Sequence, residues 1–366
     1  MRTPILISAL ASLLASGAIQ AGGLDRSGQD TSIILKEGGL FELTSVSVAP
    51  TVSGTNANLG AGTSDTGDVA PDYSMTTFAM RSDINDKIAF ALIQDNPYGA
   101  DVSWTNGGLA GTSGKIESDA TTALVSYNAS DSITVYGGLK NQSIDVSASV
   151  KVAAASLDYE LDGSPSSASG YVVGAAFEKP EIALKVALTY HTKIKHSMAI
   201  TETVLTANGY VSPTSSMDFY TPSAYNLDFQ TGIAANTLLF GSIRRANWTE
   251  TVVSPTNYPL GIILDYDENT TVYSIGLGRK LNDQWSVAAT YGWEQASGED
   301  GGPFGPTDGN SNYGIGVTYN ADQLSITAGA RSVSFGDTDV VSAGTNFASM
   351  ADNTGMVTAL KLAYKF

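Results

Sequence analysis

The stretch Thr221–Glu250, TPSAYNLDFQTGIAANTLLFGSIRRANWTE, restricts the fold more than any other part of the chain. Tyr225, Leu227 and Phe229 alternate with Asn226, Asp228 and Gln230, the period of two expected of a strand with one face in an apolar phase and the other in water. A tight turn at Ala234–Thr237 follows, after which Leu239, Gly241 and Ile243 alternate with Phe240, Ser242 and Arg244. One antiparallel hairpin accounts for both halves. Repeated along the chain, it predicts a large all-β meander with two distinct faces.

The amino-terminal stretch Met1–Ala21 has a different character. Arg2 supplies a positive start, Ile5–Ala18 is apolar with small residues, and Ile19-Gln20-Ala21 forms a small-residue cleavage site. This is the pattern of a secretory leader, cut after Ala21 or after Ala18. Beyond it, no apolar stretch approaches the roughly 18 residues a membrane helix needs. Membrane residence therefore requires a closed barrel, the other structure that satisfies its backbone inside lipid. Composition agrees, because charged residues make up 15% of the chain, against about 25% in average soluble proteins. The absence of cysteine suits an exported chain that needs no disulfide. A net charge of −17 excludes nucleic acid as a partner.

The connections come in two kinds. Short ones lie at Asn85–Lys87, Ala129–Asp131, Glu178–Glu181, Ala234–Thr237, Asn282–Gln284 and Asn320–Asp322. Long ones lie near Pro50–Pro71, Asn96–Ser118, Ile144–Ser167, Ala199–Thr221, Glu250–Glu268, Gln295–Asn310 and Gly336–Asn353. Short turns at one end and long loops at the other are the mark of bacterial outer-membrane barrels, and the segments number roughly fourteen, an even count as such barrels require. The chain divides into a leader (1–21), a glycine-bracketed segment (22–39) that is either a flexible leader or a plug within the lumen, and a transmembrane antiparallel β-barrel (40–366).

The faces can be read in several strands. Trp285, Val287, Ala289, Tyr291 and Trp293 share one face, with Ser286, Ala288, Thr290, Gly292 and Glu294 on the other. Trp285 and Trp293 then stand about 26 Å apart along the strand, or ~20 Å across a bilayer at ~40° tilt, close to the spacing of the two aromatic girdles. Met356, Thr358, Leu360, Leu362, Tyr364 and Phe366 share a face in the last segment. A final strand ending on an aromatic residue resembles the signal read by the outer-membrane barrel assembly machinery, which makes Phe366 the contact with that partner.

Three strings carry a more specific resemblance: GGLDRSG after the leader, EKPEIALKVALTY at Glu178–Tyr190, and the hairpin at Thr221–Glu250. They resemble the long-chain fatty acid transporter family of Gram-negative outer membranes, the FadL/TodX (OMPP1) group. The resemblance implies a fourteen-stranded barrel with an amino-terminal hatch. It also implies passive uptake of long-chain fatty acids or similar hydrophobic small molecules without a cofactor, and lateral release beside a kinked third strand. The chain departs from the family pattern in its short segment 22–39, which lacks the Asn-Pro-Ala motif and the preceding helices. In the third strand, Ile88–Gln94 runs into Asp95-Asn96-Pro97-Tyr98-Gly99. Pro97 cannot donate a ladder hydrogen bond, so Asn96, Pro97 and Gly99 mark either a break that opens the wall or simply the strand's end.

A fatty acid asks its transporter for an apolar groove and a positive partner for its carboxylate. The facing pattern turns Lys140, His191, Arg244 and Arg331 inward, each in the outer part of its strand, as a basic zone near the external mouth. These residues are candidate ligand contacts, or else partners of lumenal acids such as Asp228 and Glu294. Arg245 faces outward at the rim, where it can reach lipopolysaccharide phosphate. Two further readings are a general porin for polar solutes and an outer-membrane hydrolase. Two histidines without a nucleophile motif give little support to catalysis, and the acidic loop clusters lack calcium-loop spacing, so no metal site is expected.

Overall fold

The computed structural model describes residues 24–57 and 64–366, so the expected leader lies outside the described residues. Fourteen strands follow one another in chain order around a closed antiparallel barrel. They are β1 (Leu40–Thr51), β2 (Tyr73–Asp83), β3 (Ile88–Asp95), β4 (Ser113–Asn128), β5 (Ile133–Val152), β6 (Ser166–Lys179) and β7 (Leu184–His191), then β8 (Ala224–Ala234), β9 (Thr237–Ala246), β10 (Thr270–Lys280), β11 (Trp285–Glu294), β12 (Asn310–Ala321), β13 (Leu324–Phe335) and β14 (Thr354–Lys365). The last strand returns to the first, in register from Leu40↔Lys365 to Thr51↔Thr354. Closure removes the two unpaired edges that an open sheet would expose to lipid.

Period-two alternation decides the two faces. Val125, Leu139, Leu188, Leu277 and Ile315 point out, and so do Trp285 and Tyr291. Trp293 stacks against Tyr273 and Tyr291, with ring centroids 4.9 and 5.6 Å apart, in one part of an outer aromatic belt. Glu42, Arg81, Lys140, Asn226, Arg244, Arg331 and Lys361 point in and are buried. The short turns fall where the glycine, asparagine and proline signals place them. At the β8–β9 turn Asn236 takes φ 58°, a left-handed conformation that asparagine tolerates better than most residues.

Several of the expected long loops carry strands of their own, two of them extending the barrel wall. Within Ile144–Ser167, β5 continues to Val152 and Leu157–Gly163 folds back on it. Within Ala199–Thr221, the strands Ile194–Thr206 and Thr214–Thr221 form a hairpin that also pairs with Leu157–Gly163. The inner faces of these extensions bury Tyr159, Leu161, Met198, Ile200 and Met217 in a core of their own. The alternation there is masked by a charged residue at an inward position, Glu202.

That carboxylate is fully buried. It accepts hydrogen bonds from Tyr159 Oη (2.9 Å), Ser215 Oγ (2.8 Å), and the backbone N–H and Nδ2 of Asn257 (2.9 and 2.8 Å). Burial alone would raise its pKa, but these donors outweigh that and hold the carboxyl below the usual range. A single acid thereby ties two hairpins and the β9–β10 connection together.

Candidate functional site

Residues 24–39 lie against the inner wall, and their path is set by charged and polar anchors. At the short-turn end, Arg81 Nη1 donates to the Gly38 carbonyl (2.5 Å) and Lys185 Nζ to that of Leu35 (2.9 Å). Glu42 receives Lys36 at 2.7 Å and Lys361 at 2.9 Å. Ile33 and Ile34, on a single 3-10 turn, pack with Ala79, Ala91, Ile93 and Leu124 in an apolar cluster. From there the segment passes through a turn at Gly28 and Gln29, with φ of 67° and 56°, toward the long-loop end.

On the β8–β9 side the segment meets the expected basic residues. Arg244 binds Asp25 in fork geometry, Nη2 to Oδ1 at 2.6 Å and Nε to Oδ2 at 3.1 Å, and its Nη1 donates to Asn226 Oδ1 at 2.7 Å. Asn226 Nδ2 in turn donates to the Gly28 carbonyl at 3.0 Å. Lys140 Nζ donates to Gln29 Oε1, and Gln29 Nε2 to Tyr98 Oη. The partner of Arg244 is therefore Asp25 of the amino-terminal segment rather than Asp228 on the neighbouring strand. Leu24, Tyr98, Ala224, Ala246 and Trp248 enclose the pair in an apolar cluster.

The four expected basic residues do not form a single zone. Lys140, His191 and Arg244 are close enough to act on one another's charge, whereas Arg331 stands on β13, four strands beyond β9. Because β5 extends to Val152, Lys140 lies nearer the middle of its strand than the outer end where the sequence placed it. His191 is buried, and its two ring nitrogens have no hydrogen-bond partner among the described residues.

On the β2–β3 side the wall changes construction. β2 pairs with β1 over Tyr73–Arg81, but with β3 only from Phe78↔Gln94 to Asp83↔Ala89. Tyr73–Thr77 thus have a strand partner on one side alone. β3 pairs with β4 up to Asp95↔Ala120, and the ladder resumes at Gly99↔Glu117. Asn96, Pro97 and Tyr98 therefore stand opposite two residues of β4, a bulge of one residue that bends the strand. Pro97 interrupts the strand rather than simply ending it.

The edge that β2 leaves uncovered is taken by the amino-terminal segment. Arg26 N–H donates to the Pro97 carbonyl (2.9 Å), Ser27 N–H to that of Asn96 (3.1 Å), and Gly99 N–H to that of Leu24 (2.8 Å). Ser27 Oγ donates to Asp95. Arg26 reaches across the break, where Nε donates to the Gly99 carbonyl at 2.9 Å and Cζ lies 3.3 Å above the Tyr73 ring centre. Gly99 permits this approach, since a Cβ there would come within 2.9 Å of Arg26 Nε.

Behind the break lies a cavity of about 60 Å³. Val46, Met75, Ala79, Ile93 and Ile33 form its apolar lining, with Arg26, Asp30, Asp95, Glu42 and Lys361 around them. The sequence pointed to Asn96, Pro97 and Gly99, but not to Asp25, Arg26, Gln29 or Tyr73. The available signal was the adjacent charge pair Asp25-Arg26 within an otherwise small and polar GGLDRSG string.

Comparison with known proteins adds three observations. A family model described as "Outer membrane protein transport protein (OMPP1/FadL/TodX)" matches residues 34–366. Among solved structures, a Pseudomonas aeruginosa FadL homologue superimposes with TM-score 0.77 at 17% identity, covering 97% of this chain and 98% of the other. The P. putida toluene transporter TodX gives 0.66 at 12% identity over 90% and 91% of the two chains, and the CymD monoaromatic hydrocarbon channel 0.65 at 11% over 97% of each. No curated protein sequence matches the chain.

Proposed function

Because the chain belongs to the OMPP1/FadL/TodX family of outer membrane transport proteins, we propose that it carries long-chain fatty acids or similar hydrophobic molecules passively and releases them sideways through the break beside β3. The interruption at Asn96–Tyr98 is the observation that carries this reading. A segment anchored along the inner wall narrows the straight path for an apolar molecule. A side route spares such a molecule the transfer into water that an axial exit would demand.

In this reading residues 24–39 act as a short hatch. Cargo enters at the long-loop end and moves down past Tyr98, Trp248 and His191. It reaches the cavity lined by Met75, Ala79 and Ile93, and leaves between β2 and the Asn96–Gly99 segment. The related proteins named for toluene and monoaromatic hydrocarbons support hydrophobic cargo in general, and the sector around Arg244 and Lys140 supports a role for the hatch. In the same reading exposed Arg245, at the long-loop rim, meets lipopolysaccharide phosphate, and exposed Phe366, at the short-turn end beside Gly39, meets the barrel assembly machinery.

Deletion of Pro97 tests the route. It leaves two residues opposite two, so the ladder between Asp95↔Ala120 and Gly99↔Glu117 can run unbroken. The folded barrel is then expected to lose uptake of a radiolabelled long-chain fatty acid, down to the level of cells without the protein. Full uptake by a folded deletion variant would remove the break from the route.

A further inference from the structure

Arg26 and Arg244 are both lumenal guanidinium groups, yet they are held differently. Arg244 is locked in a bidentate pair with Asp25, whereas Arg26 takes part in none of the ion pairs found among the described residues. Its charge rests on the Gly99 carbonyl oxygen and on Tyr73, which is both a ring face and a hydrogen-bond partner, at a place where the wall ladder is interrupted. Acids surround that place. Asp101 and Glu117 act on Arg26 through space, and Asp30 and Asp95 line the same cavity. Lys361 and Lys115 stand nearby, but each is already paired, with Glu42 at 2.9 Å and Glu117 at 2.8 Å. Without Arg26, therefore, the acids Asp30, Asp95 and Asp101 would disfavour an anion at the opening.

We propose that Arg26 is a specificity-determining residue, which gives the opening between β2 and the Asn96–Gly99 segment its tolerance for carboxylate-bearing hydrophobes. The inference rests on the lateral route and adds to it the charge class that the route admits. A fatty acid anion arriving in the cavity finds a guanidinium whose ionic partner is not already supplied by the protein. An uncharged hydrophobe of the same length needs no such partner and is indifferent to the group except as an obstacle.

The test is a ratio measured in one set of cells whose outer membrane carries this protein as its only transporter of the kind. Uptake of oleate is compared with uptake of oleyl alcohol for the wild type, Arg26→Ala and Arg26→Lys, and heat-modifiable gel migration reports that each barrel is folded. Arg26→Ala is expected to lower the oleate-to-alcohol ratio at least about fivefold, as for one charge acting over a few ångströms in a partly screened site. Arg26→Lys is expected to keep most of the ratio, because the charge remains. An unchanged ratio with both fluxes raised makes Arg26 a steric obstacle only and overturns the proposal. An unchanged ratio with unchanged fluxes overturns it as well. A wild-type protein that carries neither probe overturns the transport reading itself, a result distinct from either.

Discussion

Adjacent residues of one amino-terminal segment serve two unlike sectors of the wall. At β8–β9 the ladder is regular along the strands, from Ala224↔Ala246 down to Gly232↔Leu238, and its inward arginine is consumed by Asp25. At β2–β3 the ladder stops at Phe78↔Gln94, and Arg26 lies across the gap, held by one carbonyl and one ring. In extended backbone, successive side chains point to opposite sides, so Asp25 and Arg26 reach opposite walls. One sector is sealed by a buried ion pair, while the other is covered by a guanidinium that no carboxylate grips.

The largest effect is expected at the sealed sector. Asp25→Asn leaves the Arg244 guanidinium buried without its countercharge, a change that costs about 3–5 kcal/mol. Limited proteolysis of residues 24–39 and thermal unfolding of the purified barrel would record it. Arg26→Gln is expected to cost less than about 1 kcal/mol in the same assays, since no carboxylate contact is lost. Equal costs at the two positions would erase the contrast. The double variant Asp25→Asn/Arg244→Gln is expected to recover most of the loss, because both charges are removed together.

Gly99→Val probes the broken sector directly. The new Cβ would stand 2.9 Å from Arg26 Nε and 3.1 Å from the Ile116 carbonyl. Relief of that crowding costs about 1–3 kcal/mol if the strand shifts, and less if the arginine side chain swings away. A stable Gly99→Val barrel with raised uptake of an uncharged hydrophobe would show that Arg26 is the part that moves. A destabilised barrel with unchanged uptake would show that the strand is.

A further effect lies outside the wall, at Glu202. Glu202→Gln replaces an acceptor-only group with one that also donates, at a cost of roughly 1–2 kcal/mol. The same group makes the loop assembly sensitive to acid. Its folded carboxyl lies below the usual range, so its contribution is complete above the unfolded pKa of about 4.3 and fades as pH falls through the lower folded value. Hydrogen exchange in Ile194–Thr206 and Thr214–Thr221 is expected to quicken on acidification in the wild type. In Glu202→Gln it should be fast and nearly independent of pH over that range.

Much of the barrel follows from the chain itself. Inward and outward positions obey the period of two, so Arg244 and Arg331 fall inside and Arg245 outside, where the alternation puts them. Turn residues fix the short connections, and closure follows from the demand that every strand edge in lipid be paired. What Arg244 binds is another matter, because Asp25 is 219 residues away and no local pattern links the two. The same holds for the bulge at Asn96–Tyr98. Pro97 announces that one donor is missing, but only the assembled barrel decides that β2 leaves the strand there and that Leu24–Ser27 takes its place. Alternation is a property of each strand alone and can be read from sequence. The break beside β3 depends on which segments meet in three dimensions, and sequence distance hides those meetings.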